Sequence, residues 1–168
     1  FSIGELLDIA QYVICGMAHI ISNGSIHRDL AARNVLLGAT AKGYIVKLCD
    51  FGLARGLNDD KSYYMSQTNT MPIRWCPPEA LVHKRFSEAS DVYSFAIFMI
   101  ELFTAGGDPY PGLQTKDVAT MILEGGRPKC PKDCPEDVFA VITKCWAQEA
   151  SDRPTFLEVH NLFQPLLV

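Results

Sequence analysis

Residues 25–34 read Ser25-Ile26-His27-Arg28-Asp29-Leu30-Ala31-Ala32-Arg33-Asn34, and the apolar run Val35-Leu36-Leu37 follows at once. Taken singly, an Asp in such a polar stretch is most often a turn or capping residue. Here, however, the whole order His-Arg-Asp-Leu-x-x-x-Asn is present. In that pattern the Asp takes a proton from a hydroxyl and the Asn holds a metal ion. Asp50-Phe51-Gly52 stands sixteen residues after Asn34. An Asp-Phe-Gly tripeptide alone carries little information. Two metal-binding phrases at this separation, with strand-like residues between them, carry much more.

The surrounding chain supplies a scaffold for that stretch. Leu6, Leu7, Ala10, Val13, Ile14, Met17, Ala18 and Ile21 recur at helical spacing over residues 5–21, and Asn23-Gly24 stops the helix. Residues 35–37 and 44–49 read as two short strands joined by a turn around Gly38 to Gly43. From Asp50 to Pro77 no helical or alternating pattern persists, and a run of that length inside a compact domain is usually functional. Ser87 and Ser90 are candidate caps for a helix through Val92 to Phe103 that is apolar on nearly every side. Thr115 to Leu123, Pro135 to Ala147 and Thr155 to Phe163 give three more amphipathic helices. Beyond the one strand pair, no strand-rich material is expected.

Composition narrows the function classes. With 48% apolar residues, the 168-residue chain can bury one sizeable core. A net charge of -4 argues against a general nucleic-acid or anionic-membrane binder. The longest apolar stretch, FAIFMI, ends at Glu101, far short of the roughly 20 residues of a membrane span. Of six cysteines, Cys15, Cys49 and Cys145 lie in apolar sequence, where a thiol acts as a small hydrophobe. Cys130 and Cys134 have no accompanying His cluster, so a zinc site is not expected and a reduced interior is. Phe1 falls inside an amphipathic pattern, and the chain reads as an excerpt.

HRDLAARN at 27–34 has the form typical of protein-tyrosine kinases, and the chain as a whole resembles the C-terminal lobe of a protein kinase. DFGLAR at 50–55 resembles the start of that family's activation segment and PIRWCPPEAL at 72–81 its end. SDVYSFAIFMIELFT at 90–104 resembles the central buried helix, and GGDPYPG at 106–112 and CW…DRPTF at 145–156 resemble later landmarks in the right order. The resemblance implies an α+β, protein-kinase-like fold. Residues 1–168 would form a mostly helical C-terminal lobe with a short β-hairpin, without the N-terminal β lobe.

The same resemblance implies a protein-tyrosine kinase, moving the ATP γ-phosphoryl group to tyrosine hydroxyls of protein substrates. Phosphoryl transfer spreads negative charge over the transferred group, so such a protein supplies position and positive charge. Mg²⁺, or Mn²⁺ in its place, suits hard oxygen ligands, and Asp50 and Asn34 would supply them. Asp29 would orient and deprotonate the acceptor, and Arg33 would help place the phenol. His27 invites a general-base reading, but the resemblance makes it a packing residue beside Phe51. Arg28 would receive a phosphate on the loop, where Tyr63 and Tyr64 are the candidate phosphosites. Pro72 and Trp75 resemble a shelf for the substrate side chain. Glu79 and Arg153 resemble a buried ion pair tying the loop's end to a late helix, and Asp91 resembles a brace for the backbone at 27–29.

The chain departs from the family pattern at Pro77 for Ala, Tyr93 for Trp, Ala96 for Gly and Cys76 for Met, none of them a ligand or the base. No Gly-rich phosphate loop and no Val-Ala-Ile-Lys strand occurs in these residues. The N-terminal lobe that carries them is therefore an expected partner, and the chain alone is expected to be inactive. The competing reading is a non-catalytic kinase-like interaction module, an isolated lobe or a pseudokinase. The expected location is the cytoplasm, or the cytoplasmic side of the plasma membrane for a receptor.

Overall fold

A computed structural model describes residues 1–41, 43–50, 54–56, 63–65 (backbone) and 71–167. Helix α1 (Ile3–Ser22) begins at a reciprocal cap: the Glu5 amide donates to Ser2 Oγ at 3.2 Å, and the Ser2 amide donates to the Glu5 carboxylate at 2.7 Å. It ends at Asn23, and Gly24 takes the left-handed conformation at φ 70° that releases the chain from the helix. Its length and apolarity would suit a membrane crossing, but the apolar face is used inside the fold. Leu7, Ile9, Ala10, Val13, Ile14 and Met17 are buried, packed with the helices that follow.

Helix α3 (Glu88–Phe103) is the axis of the core, buried from Ser90 to Glu101 as its continuous apolar run predicts. Ser87 and Ser90 act together at its start, each side chain accepting from the other's end of the first turn. Phe95 meets Phe98, Phe156 and Phe163 with ring centroids 6.1 Å apart, the latter two edge-on. Fully burying each such ring contributes about 2–3 kcal/mol. The short helix α2 (Pro78–His83) precedes α3. Helices α4 (Thr115–Leu123), α5 (Glu136–Cys145) and α6 (Phe156–Phe163) follow, the last capped by Thr155.

Strands are more numerous than the sequence pattern suggested. β2 (Val35–Thr40) and β3 (Gly43–Leu48) form the expected hairpin. Its ladder runs to the pair Thr40↔Gly43, so the connection is two residues and not a turn from Gly38 to Gly43. Gly43 at φ 125° makes that tight reversal possible. Two further antiparallel pairs join segments distant in the chain. β1 (Ser25–Ile26) pairs with β4 (Arg55–Gly56), and β5 (Tyr63–Met65) pairs with β6 (Arg85–Ser87). Strands of two or three residues leave no periodic signal. All six cysteines are free thiols; Cys15 is exposed on α1, contrary to its apolar sequence setting, because it faces away from the core. The result is a mostly helical body with a few short strands, in keeping with the α+β expectation.

Candidate active site

Residues 26–31 lie between β1 and a 3₁₀ turn at Ala32–Asn34, and all six are buried without belonging to a helix or a long strand. Buried backbone amides need acceptors, and α3 supplies them from side chains. The His27 and Arg28 amides donate to the two carboxylate oxygens of Asp91 at 2.8 and 2.9 Å. One turn from the other end of α3, Glu101 Oε2 accepts from the Ala32 amide at 2.9 Å. Arg28 sits at φ 70°, a left-handed conformation costing about 1–2 kcal/mol for a residue with a Cβ. The paired hydrogen bonds to Asp91 hold it there. Burial pushes the Asp91 carboxyl up to about 6, with the two amides opposing that shift.

His27 has both ring nitrogens occupied by backbone. The Asp29 amide donates to Nδ1 at 3.2 Å, and Nε2 lies 3.2 Å from the Cys49 carbonyl oxygen. An amide only donates and a carbonyl only accepts, so the ring is the neutral tautomer with its proton on Nε2. Burial lowers its pKa in the same sense. A ring so engaged has no lone pair for a substrate proton. Phe51, expected beside it, lies outside the described residues.

Asp29 forms an ion pair with Arg33 one turn on. Asn34 is buried and donates from Nδ2 to the Asp29 carbonyl at 2.7 Å, which leaves its amide oxygen as the atom able to meet a cation. The hairpin register sets the chain just before the second carboxylate against Asn34. The Cys49 amide donates to the Asn34 carbonyl at 2.9 Å, continuing the register Val35↔Leu48 by one pair. Asp50 is the next residue, at φ 60°, one position beyond the Cys49–Asn34 contact. One amide oxygen and one carboxylate are hard donors of the kind Mg²⁺ takes alongside phosphate and water. Among the described residues, no cluster of three or more His, Cys, Asp or Glu groups gathers as a complete metal site.

The segment 72–81 meets this loop from one side. Pro72 opens a 3₁₀ turn, with the Trp75 amide donating to its carbonyl at 2.9 Å. The Trp75 ring lies under the Arg33 guanidinium, whose central carbon is 4.4 Å from the ring centre. Its indole N–H donates to Glu101 Oε2 at 2.9 Å, and Ser94 Oγ donates to its carbonyl at 2.8 Å. Arg74 ties the same turn to the 108–113 loop through Asp108, at 3.1 Å, and the Tyr110 and Leu113 carbonyls. The sequence motifs do not single out Glu101. Its signal was a lone carboxylate closing the most apolar run of the chain, where a charge needs a partner.

Arg153 and Glu79 face each other in a two-pronged pair, with N–O distances of 2.7 and 2.9 Å. The Arg153 side chain also donates to the Ala89, Ala147 and Gln148 carbonyls. Tyr93, where Trp is usual, is fully buried with Arg127 and Arg153 each 5.1 Å from its ring centre. The Arg28 guanidinium lies 4.5 Å from the centre of the Phe86 ring, and the β5–β6 register sets Tyr64 opposite Phe86 and Tyr63 opposite Ser87. The side chains of Tyr63 and Tyr64 lie outside the described residues.

Comparison with known proteins shows which family the sequence is similar to. A sequence model described as "Protein tyrosine and serine/threonine kinase" matches residues 1–163. The "Tyrosine-protein kinase SRK3" of Spongilla lacustris is 38% identical over 164 residues, covering 98% of this chain and 48% of that protein. The "High affinity nerve growth factor receptor" of Rattus norvegicus is 37% identical over 164 residues, covering 98% of this chain and 20% of the receptor. The chain thus spans about half the length of one relative and a fifth of the other.

Proposed function

The chain belongs to the protein tyrosine and serine/threonine kinase family, and from that premise we propose that it is the substrate- and metal-binding lobe of a protein-tyrosine kinase. What supports this reading is the Asn34 side chain bonded to the Asp29 carbonyl, with Cys49 and so the start of Asp50 set against Asn34 at the hairpin base, beside a loop whose amides are anchored in the core. In this reading Asp29 accepts the hydroxyl proton of a tyrosine in a protein substrate. A lone carboxylate is a weak base, so its position carries more of the effect than its basicity. Arg33, resting on Trp75, balances the Asp29 charge and borders the place for the phenol. Pro72 and Trp75 form the shelf beneath it.

Asn34 and Asp50 would hold Mg²⁺. The ion supplies charge neutralisation on the phosphates of ATP. His27, held neutral by two backbone contacts, keeps the Asp29 and Cys49 backbones together. Asp91, Glu79 and Arg153 support the loop and the 72–81 segment, and losing one partner of the ion pair would cost about 3–5 kcal/mol. Arg28 is the receiving charge for phosphate on Tyr63 or Tyr64. Residues 1–168 would act together with an N-terminal lobe that brings the Gly-rich loop and a Lys, at the cytoplasmic side of a membrane or in the cytoplasm.

The test is transfer of labelled phosphate from ATP by the full-length protein to paired peptides bearing Tyr, Ser or Phe at one position. Label on the Tyr peptide, lost in Asp29→Asn, is the expected result. Label on neither hydroxyl peptide would favour an interaction module, and label on Ser alone would overturn the acceptor. Residues 1–168 alone should turn over far below the ordinary range of roughly 1–100 s⁻¹. A rate inside that range, abolished by Asp29→Asn, would contradict the need for a second lobe.

A further inference from the structure

Glu101 occupies a position where Leu, Ile or Met would fill the same volume without burying a charge. Instead, one carboxylate oxygen gathers donors from two segments far apart in the chain, the Ala32 amide and the Trp75 indole, each at 2.9 Å. Burial raises its pKa above the ordinary carboxylate range, while both donors favour the charged form. The two donors lead to a single side chain. Ala32 precedes Arg33 in sequence, and Trp75 lies beneath the Arg33 guanidinium. Among the described residues, the Asp29 carboxylate and the Trp75 ring are the partners of that half-exposed Arg33 side chain. The contacts therefore close a circuit: Glu101 to Trp75, Trp75 to Arg33, Arg33 to Asp29, and back through the backbone at Ala32 to Glu101.

We propose that Glu101 is a positioning residue for phosphoryl transfer, a role that rests on the reaction inferred above. By holding Ala32 and Trp75 on one oxygen of a rigid buried helix, it sets the Arg33 guanidinium against Asp29 where a tyrosine hydroxyl has to lie. Without that oxygen the indole N–H is left without an acceptor, and the ring turns to find one. Arg33 then loses its platform, and its long side chain regains freedom that had been removed before substrate arrived. The exchange of Glu101 also leaves the Ala32 amide and the Trp75 indole without an acceptor, a cost to stability that the comparison between Arg33 backgrounds separates from positioning.

A double-mutant cycle in the full-length protein tests this, with a tyrosine peptide and labelled ATP. Glu101→Ala should lower kcat/KM for the peptide by about ten- to a hundredfold, with KM for ATP within about twofold. In an Arg33→Ala background the same change should add less than about threefold, since the circuit is already open. Trp75→Phe, which keeps a ring but removes the N–H, should reproduce part of the loss and guards against a Glu101→Ala protein that does not fold. Equal losses in both Arg33 backgrounds would overturn the positioning role and leave a stabilising one. So would unchanged peptide kinetics in both Glu101→Ala and Trp75→Phe. Absence of transfer by the unmodified protein is a different result: it overturns the reaction itself, and this role with it.

Discussion

The loop at 26–31 and the hairpin of β2 and β3 adjoin in sequence and invert the usual association of regularity with burial. The loop has almost no regular hydrogen bonding, yet every residue in it is buried. The hairpin has a complete six-pair ladder, yet Leu36, Leu37, Tyr44 and Ile45 are exposed on it. A hairpin satisfies its own backbone and can stand at the surface. A buried irregular loop cannot, so its order has to come from elsewhere, here from two carboxylates on α3. The site's geometry is therefore imposed by the core helix and not by local propensity.

The two regions should respond very differently to substitution. The largest effect falls on the reaction: Asp29→Asn should cut phosphoryl transfer by about 10²–10⁴-fold in a labelled-ATP assay, with little change in unfolding midpoint. Next comes Asp91→Ala, which leaves two buried amides without an acceptor and should cost about 2–6 kcal/mol by denaturant titration. The third is the pH dependence of that same brace. The Asp91 carboxyl titrates near 3.8 when exposed and at about 6 in the fold, so between those values the folded state keeps a proton the unfolded state has released. Its contribution to stability is thus full below about pH 4 and falls, by about 1–3 kcal/mol, as pH rises to 6. Unfolding titrations across pH 4–7 should show that slope in the unmodified protein and not in Asp91→Asn. The smallest effect belongs to the hairpin, where Leu36→Ser should shift stability by no more than about 0.5 kcal/mol. A hairpin change as large as that of Asp91→Ala would show that the exposed ladder carries as much stability as the buried brace.

What could be read from the sequence follows the same division. Helices with a strong period were legible to within a residue or two: α1, α4 and α6, and α3 with its paired Ser87 and Ser90 cap. The candidate site residues stand out in the sequence because their order is specific, and the fold bonds Asn34 to the Asp29 carbonyl and sets Cys49, next to Asp50, against Asn34. Two classes of feature were not legible. Strand pairs β1–β4 and β5–β6 are too short to show alternation, and their partners lie 20 or more residues apart. Glu101 is hidden in the sequence because a single carboxylate after an apolar run looks like the end of that run. Its partners, Ala32 and Trp75, are 69 and 26 residues away, a relation only the folded chain displays.

The claim that α3 carboxylates impose order on the loop is tested most directly by amide hydrogen exchange, residue by residue, in the full-length protein and its Asp91→Asn variant. Slow exchange at His27 and Arg28 should accelerate by about a hundredfold or more in the variant, the loss of about 3 kcal/mol of local protection. Exchange in the β2–β3 ladder should stay as it was. Unchanged protection at His27 and Arg28, or an equal loss across the hairpin, would contradict it.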